Sequence, residues 1–338
     1  MYWFALIAGL LFSGSIAGQS QAQTAQEIGV TFALIGDLGY RPAEEPLLQN
    51  VLDDLNKTSL AFIVHVGDLS SPGYACTNEL LARRLVQFRT SAHPLVFTPG
   101  DNDWTDCHAG QGIKDSDPLE RLANLRVMFF VGEQSLGRRT MPLVRQSQTS
   151  DPTYAKYLEN VRWNSSGVTF VTLHIPGNNN GLGRSPAGDA EYIERNMANL
   201  AWLKQAFEHA KASKSRAVMI MQQANIFPAY PPTAGSPEKD PHGFTDIRTL
   251  LEKETIAFGK PVVLVHGDSH FFRIDKPLGP QRVQGTGATN LPAVENFTRV
   301  ETFGSPNHHW VQVTVDPNDP NVFSFRQRIV AANVVKRR

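Results

Sequence analysis

Four aspartates in this chain each follow a run of strand-forming residues that ends in glycine. Every run is apolar and rich in β-branched or aromatic residues, and the fourth adds His270 two residues after its aspartate. A glycine lets the backbone turn sharply after a strand, so the next side chain is presented at the carboxyl edge of the sheet, where open α/β sheets bind ligands. These aspartates are Asp37, Asp68, Asp101 and Asp268.

Four carboxylates at one sheet edge would repel one another unless cations neutralise them, and divalent metal ions are the obvious candidates. Aspartates also cap helices and turns, which is the competing interpretation. Four copies of one pattern with a trailing histidine favour the metal site.

The order and spacing of these motifs resemble those of the calcineurin-like metallophosphoesterase superfamily, from about residue 30 to about residue 275. Asp37 matches the first motif, in a Gly-Asp-x-Gly form similar to that of purple acid phosphatases, and Asp68 matches the metal-bridging carboxylate of the second. The last motif keeps His270 but has Asp268 in place of its first histidine. The resemblance implies an α/β fold, a four-layer α/β/β/α sandwich of two mixed sheets.

The third and fourth motifs depart from the family pattern. Asp101 stands at the position of the asparagine ligand, and Asn102 replaces the histidine that family members use near the leaving group. A slip of one residue would instead make Asn102 the ligand. Gln222 and Gln223 occupy the place of a lone histidine after a strand.

The resemblance implies two divalent metal ions, with manganese, magnesium, iron and zinc as the candidates. Carboxylate and amide oxygens suit magnesium, manganese or calcium, whereas imidazole suits zinc, copper, iron or nickel, so the loss of histidines shifts the ligand set towards oxygen. The tyrosine ligand of purple acid phosphatases is expected three residues after Asp68, where Ser71 stands, and Tyr74 comes too late. Site one would use Asp37, Asp68 and His270, and site two Asp68, Asp101, Gln222 and Asp268.

The activity that the resemblance implies is hydrolysis of phosphate mono- or diesters by a metal-activated water. Because Asn102 cannot give the leaving group a proton, either His174 or His108 replaces the missing acid, or the substrate has a good leaving group. We favour His174, which follows a strand, over His108, which lies in a long loop, since a strand end is the more rigid platform. The alternative is a non-catalytic descendant that binds a metal ion or a phosphorylated ligand.

Composition limits the partners. The chain has 338 residues, 41% of them hydrophobic, and a formal net charge of zero. This is enough to bury a core, and residues 30–338 are predicted to form a single catalytic domain. Without a basic stripe or a basic amphipathic face, nothing indicates a nucleic-acid or membrane partner. The predicted partner is a small-molecule or surface phosphoester substrate.

The amino terminus indicates export. Residues 1–22 carry no charged side chain and contain an apolar run followed by small residues, which predicts a signal peptide too short to span a bilayer. A linker at 23–29 follows, and the protein is expected in a periplasm or outside the cell. The two cysteines, Cys76 and Cys107, each follow a motif aspartate, so we expect them to form a disulfide in an oxidising compartment.

The periodicity of apolar residues along the chain predicts the helices and strands that position these residues. Helical spacing predicts helices at 43–55, 79–89, 119–130, 193–212 and 245–254. Short β-rich runs predict a first strand that ends at residue 36 and further strands at 62–66, 95–98, 161–163, 168–173, 217–221, 262–265, 272–274 and 310–315.

Overall fold

The structure is a computed structural model that describes Met1 and residues 29–108, 116–149, 151–227, 242–279, 293–316 and 318–334. The predicted signal peptide and linker lie outside these ranges except for Met1 and Gly29. Among the described residues, no helix has both the length and the apolar character needed to cross a membrane.

The strands form two mixed sheets. In chain order they are β1 (Val30–Ile35), β2 (Ile63–His65), β3 (Leu95–Phe97), β4 (Val144–Arg145), β5 (Val161–Ser165), β6 (Val168–Thr172), β7 (Ala217–Met221), β8 (Val262–His266), β9 (Arg273–Asp275), β10 (Phe297–Glu301), β11 (Trp310–Val315) and β12 (Phe323–Arg328). One sheet has the order β12-β11-β1-β2-β3 and the other the order β4-β5-β6-β7-β8-β10-β9. Strands β1 to β3 are parallel to each other, as are β6, β7, β8 and β10.

Helices cover the outer faces of both sheets. They are α1 (Glu45–Lys57), α2 (Pro72–Ala75), α3 (Asn78–Arg89), α4 (Pro118–Phe129), α5 (Gly177–Asn180), α6 (Pro186–Ala212) and α7 (Thr245–Phe258), with short 3-10 segments at Pro42–Glu44, Gln146–Gln148, Pro152–Tyr154 and Ala331–Asn333. Helix α6 begins earlier than predicted because Ser185 accepts a hydrogen bond from the Gly188 N–H and Pro186 starts the first turn.

Three apolar layers hold the sandwich together. Between the sheets, Phe32 stacks on Phe62 with ring centroids 4.5 Å apart, and both meet Phe170 of the opposite sheet edge-on. A second cluster joins α6 and α7 to the seven-stranded sheet, and a third joins α1, α3 and α4 to the five-stranded sheet. The predicted four-layer α/β/β/α architecture is therefore confirmed.

The parallel strands set the position of the candidate site. In the five-stranded sheet, Ile35 of β1 pairs with His65 of β2, which pairs with Phe97 of β3, so these strands end at the same level. In the other sheet Met221 pairs with Val265 in the same way. The Gly-Asp segments that follow therefore emerge along one edge of the sandwich.

A disulfide between Cys76 and Cys107 confirms the expected pairing. Its Cα atoms are 5.6 Å apart, and it joins the end of α2 to the loop that follows Asp101. The loops after the second and third motifs are thus tied to each other next to the acids that they carry.

We predict that replacing both cysteines by alanine lowers the free energy of unfolding by about 3–4 kcal/mol, the chain-entropy estimate for a closed loop of this length. Urea unfolding of the double variant measures the loss, and reduction of the parent protein with dithiothreitol should reproduce it. An unchanged midpoint in both experiments would show that the bond does not stabilise the fold.

Candidate metal centre

The backbone is strained where the motif residues leave their strands. Asp37, Asp68, Asp268 and His270 have φ of 55°, 56°, 74° and 66°, in the left-handed region that non-glycine residues avoid. Such conformations cost of order 1–3 kcal/mol each and persist only where the surrounding structure enforces them, as at ligand-binding sites. Left-handed residues therefore cluster at the edge of the sandwich that carries the candidate site.

The three residues predicted for site one all contact Tyr40, which the sequence analysis did not select. The hydroxyl of Tyr40 donates to Asp68 Oδ2 at 2.6 Å, and it lies 3.3 Å from Asp37 Oδ1 and 3.1 Å from His270 Nε2. His270 Nε2 is itself 3.5 Å from Asp37 Oδ1. Since both carboxylates contact one phenolic oxygen, their own oxygens are under about 6 Å apart, compatible with a metal pair of the usual spacing.

His270 is oriented as a metal-binding histidine would be. Its Nδ1 donates to the carbonyl oxygen of Ser305 at 2.8 Å, which leaves Nε2 facing Asp37 and Tyr40. A histidine ligand commonly donates its other ring N–H to a carbonyl group, which fixes the ring and its tautomer.

The acids predicted for site two approach each other across Gly177. A Cβ atom at this position would lie 2.7 Å from Asp268 Oδ1 and 2.8 Å from Asp101 Oδ1. Asp101 Oδ2 accepts from Asn178 Nδ2 at 2.7 Å, and Asp268 Oδ2 accepts from the backbone N–H of Asn225 at 2.9 Å. One oxygen of each acid is therefore held by the protein while the other faces its counterpart.

Asp68 is held from several sides. The backbone N–H of Asn102 donates to its Oδ1 at 3.1 Å, and Gln223 Nε2 donates to its Oδ2 at 3.2 Å. Asp103 accepts the backbone N–H groups of Asp68, Leu69 and Gly100 at 3.1, 2.8 and 2.8 Å, which joins the second motif to the third.

The two glutamines after β7 have different environments. Gln223 contacts Asp68 and accepts from the Gly177 N–H at 2.6 Å. Gln222 donates to the Ala224 carbonyl at 2.9 Å, and its Oε1 is buried without a hydrogen-bond partner. The role of Gln222 as a ligand stays a prediction, whereas the contact of Gln223 with Asp68 was missed.

His174 is enclosed in the interior. Its Nε2 accepts from the indole N–H of Trp104 at 3.0 Å, so Nδ1 carries the proton and donates to Glu159 at 2.8 Å. The side chain is fully buried, and burial lowers its pKa. With both ring nitrogens occupied and a neutral ring, this geometry disfavours the predicted role of His174 as an acid. The residues that follow His108 lie outside the described ranges, and its role as an acid stays a prediction.

The electrostatics of the site follow from crowding of buried acids. Burial, reinforced by neighbouring carboxylates, raises the pKa of Asp68 and of Asp101 well above the ordinary range. Burial also raises the pKa of Asp103 and of Asp268 to about 6. For His270, burial alone would lower the pKa, but the hydrogen bond to Asp37 and its charge raise the value to about 9.

The residues present fit a cation only in part. Across the described ranges, no group of three or more His, Cys, Asp or Glu side chains has an arrangement that could itself hold a metal ion. However, Asp37 Oδ2 and Asp101 Oδ1 are buried without a hydrogen-bond partner, which costs free energy unless something cationic binds them. A Cβ on Gly267 would overlap Asp37 Oδ2, so only glycine leaves room for that oxygen. The chemistry of the donors therefore suits hard divalent cations.

We predict that the protons held by Asp103, Asp268 and His270 contribute a stabilisation of the metal-free protein that is lost as the pH rises. Between pH 3.8 and about 6 the folded protein holds protons on Asp103 and Asp268 that the unfolded chain has released, so unfolding becomes easier through that window. The stabilisation that protonated His270 contributes is complete below pH 6.5 and is lost as the pH rises through about 9.

Thermal melts of chelator-dialysed protein from pH 4.5 to 8.5 measure this trend. Saturating Mn²⁺ should flatten it because a bound cation replaces the protons, and Asp268→Asn should reduce it without metal. If the melting temperatures of metal-free Asp268→Asn and of the parent depend on pH in the same way, the proton binding assigned to Asp268 is wrong.

Comparisons with known structures agree with the fold. A dimetal phosphatase from Danio rerio superimposes with a TM-score of 0.51 at 12% identity, covering 89% of this chain and 96% of that one. A purple acid phosphatase from yellow lupin (Lupinus luteus) seeds gives 0.53 at 13% identity, covering 92% of this chain and 53% of that one. At these identities the likeness shows the fold, and no curated protein matches the sequence.

The sequence itself identifies the family. The family model for calcineurin-like phosphoesterase matches residues 30–272, which include every predicted metal-site residue. Together with the dimetal phosphatase and purple acid phosphatase folds, this supports a metal-dependent phosphoesterase in general. The chain belongs to the calcineurin-like phosphoesterase family.

Proposed function

We propose that this protein is an exported phosphoesterase that hydrolyses phosphate mono- or diesters at a centre of two divalent cations. The observation that carries the proposal is the pair of buried, unpartnered carboxylate oxygens on Asp37 and Asp101, at the edge where the family motifs converge. The disulfide between Cys76 and Cys107 supports export, because such bonds persist in oxidising compartments.

The protein's own residues would hold the centre as follows. Asp37, Asp68 and His270 would form one site, and Asp68, Asp101 and Asp268 the other, with Gln222 as a further candidate oxygen donor. When bound, two such cations polarise phosphoryl oxygens and lower the pKa of a bound water. Asp103 fixes the geometry, since its carboxylate joins the backbones that carry Asp68 and Asp101.

Tyr40 is a further candidate ligand of the first site. Metal–ligand bonds of about 2.1 Å place adjacent ligand atoms about 3 Å apart. The distances of Tyr40 Oη from Asp68, His270 and Asp37, 2.6, 3.1 and 3.3 Å, have this spacing. The phenol would add another hard oxygen donor to the set.

Of the residues considered within the described ranges, neither Asn102 nor His174 can give the leaving group a proton. Asn102 has no acidic proton, and His174 is neutral and bonded on both sides. A positioned acid typically contributes about 10²- to 10⁴-fold to the rate. Substrates with acidic leaving groups should therefore be strongly preferred.

A non-catalytic role is the second candidate, favoured by the lack of a ready three-residue metal cluster among the described residues. In that case the same loops would bind one metal ion or a phosphorylated ligand. Such a protein would bind metal or phosphate and show no turnover.

We predict that purified protein supplied with Mn²⁺, Mg²⁺, Fe²⁺ or Zn²⁺ hydrolyses aryl phosphates such as p-nitrophenyl phosphate far faster than alkyl phosphates. Asp68→Asn should abolish turnover and lower bound metal, because Asp68 would contact both ions. Asp53→Asn, an exposed acid on α1, is the matched control. Metal binding without turnover by the parent on mono- and diester panels would favour the non-catalytic role.

We predict that Tyr40→Phe weakens metal binding about 10- to 100-fold, the loss typical of a group that supports a metal site. Metal titration measures the affinity, and an ultraviolet difference spectrum of ionised phenol should appear on metal addition to the parent but not to the variant. Tyr74→Phe, at an exposed position on α2, should behave as the parent does. Unchanged affinity together with no phenolate signal would remove Tyr40 from the centre.

A further inference from the structure

Three consecutive asparagines form a left-handed turn directly against the acids. Asn178, Asn179 and Asn180 have φ of 50°, 60° and 59°, and Gly181 follows at 78°. Asparagine tolerates this region better than most residues, but left-handed residues normally occur singly because each is costly. Four in a row need a structural reason and enforcing contacts.

Contacts of Asn179 and Asn180 with Gly243 and Arg195 hold the turn in this conformation. Asn179 Oδ1 accepts the Gly243 N–H at 2.8 Å, and Asn180 Nδ2 donates to the Gly243 carbonyl at 3.1 Å. The fully buried Arg195 of α6 donates to the backbone and side-chain oxygens of Asn180 at 2.9 and 2.5 Å. Asn179 and Asn180 thus anchor the turn, and none of these contacts involves the acids.

Asn178 differs from the other two asparagines. Asn178 is exposed to solvent, yet its side-chain amide donates to Asp101 Oδ2 at 2.7 Å and to Asp106 Oδ2 at 2.6 Å. The preceding Gly177 packs against Asp101 and Asp268 so closely that a Cβ would lie within 3 Å of both. The turn therefore holds one amide over the solvent side of site two, where a substrate must enter.

The hydrogen bond from the Asn178 amide to Asp106 can break without leaving the Asp106 carboxylate uncompensated. Asp106 is also paired with the Arg184 guanidinium, so its negative charge stays compensated if Asn178 turns away. The same pairing weakens the repulsion that Asp106 would exert on an incoming phosphate. An N–H group of Asn178 is then available to an acceptor bound beside Asp101.

We propose that Asn178 is a substrate-binding residue whose amide donates a hydrogen bond to a non-bridging oxygen of the phosphoester lying over Asp101 and Asp268. This inference rests on the proposed phosphoesterase function and gives that site a neutral donor in place of the histidine missing at position 102. The amide stabilises phosphoryl charge and transfers no proton, so the preference for acidic leaving groups remains.

The test compares Asn178→Gly with Lys214→Gly in metal-loaded full-length protein. Glycine accepts the left-handed backbone without strain, so Asn178→Gly removes the amide while the turn is preserved. Lys214→Gly relieves the same kind of strain, at an exposed left-handed residue (φ 55°) after α6, and leaves the turn and its amide untouched. Asn178→Asp replaces the donor with a carboxylate and should bind inorganic phosphate more weakly still.

For Asn178→Gly we expect kcat/KM for p-nitrophenyl phosphate to fall about 10²- to 10³-fold, as for loss of one oxyanion donor, with weaker inhibition by inorganic phosphate. Metal content should stay unchanged, and Lys214→Gly should remain close to the parent.

Two outcomes overturn the inference. In the first, Asn178→Gly keeps kcat/KM and phosphate affinity within about twofold of the parent, which is less than the loss expected for a donor. In the second, Asn178→Gly loses bound metal, and this loss accounts for its lower activity. If the parent shows no turnover, the proposed function fails, but calorimetry of inorganic phosphate binding to parent and variant still decides whether Asn178 binds phosphate.

Discussion

Repulsion among buried carboxylates is the constraint on which the site depends. Asp37, Asp68 and Asp101 are almost completely buried within reach of one another, and burial with mutual repulsion raises the pKa of the last two. Hydrogen bonds from Tyr40, Asn178 and backbone N–H groups relieve part of this cost. They leave oxygens of two acids unpartnered, and a divalent cation is the species that would bind these oxygens with the largest gain.

The fold supplies the free energy that keeps the acids together. The aromatic cluster between the sheets and the helices on both outer faces fix the strand ends, so the left-handed residues that follow have no room to relax. Glycines at 100, 177 and 267 let the chain approach the acids where any Cβ would collide. Packing far from the site thus determines how closely the carboxylates are held.

The resemblance to the calcineurin-like family implied the two-sheet architecture, whereas the Gly-Asp pattern itself marked four strand ends and the two cysteines predicted the disulfide. The sequence analysis missed β10, an interior strand next to the edge strand β9, since Arg299 and Glu301 read as surface residues, whereas inside the sheet they pair with Asp275 and Arg273. Tyr40 was missed because its contacts arise between segments distant in sequence. Such long-range pairing leaves no local signal for periodicity to detect.

His174 shows why a strand-end position alone does not identify a catalytic group. The strand-end aspartates follow glycine, and Asp37, Asp68 and Asp268 turn into the left-handed region beside one another. His174 follows Leu173 without such a turn and points inward to Glu159 and Trp104. Although burial alone would raise the pKa of Glu159, the Arg126 charge holds it well below the usual range, so the carboxylate stays ionised. That ion pair fixes a neutral imidazole, whose contact with Trp104 positions the loop after the third motif.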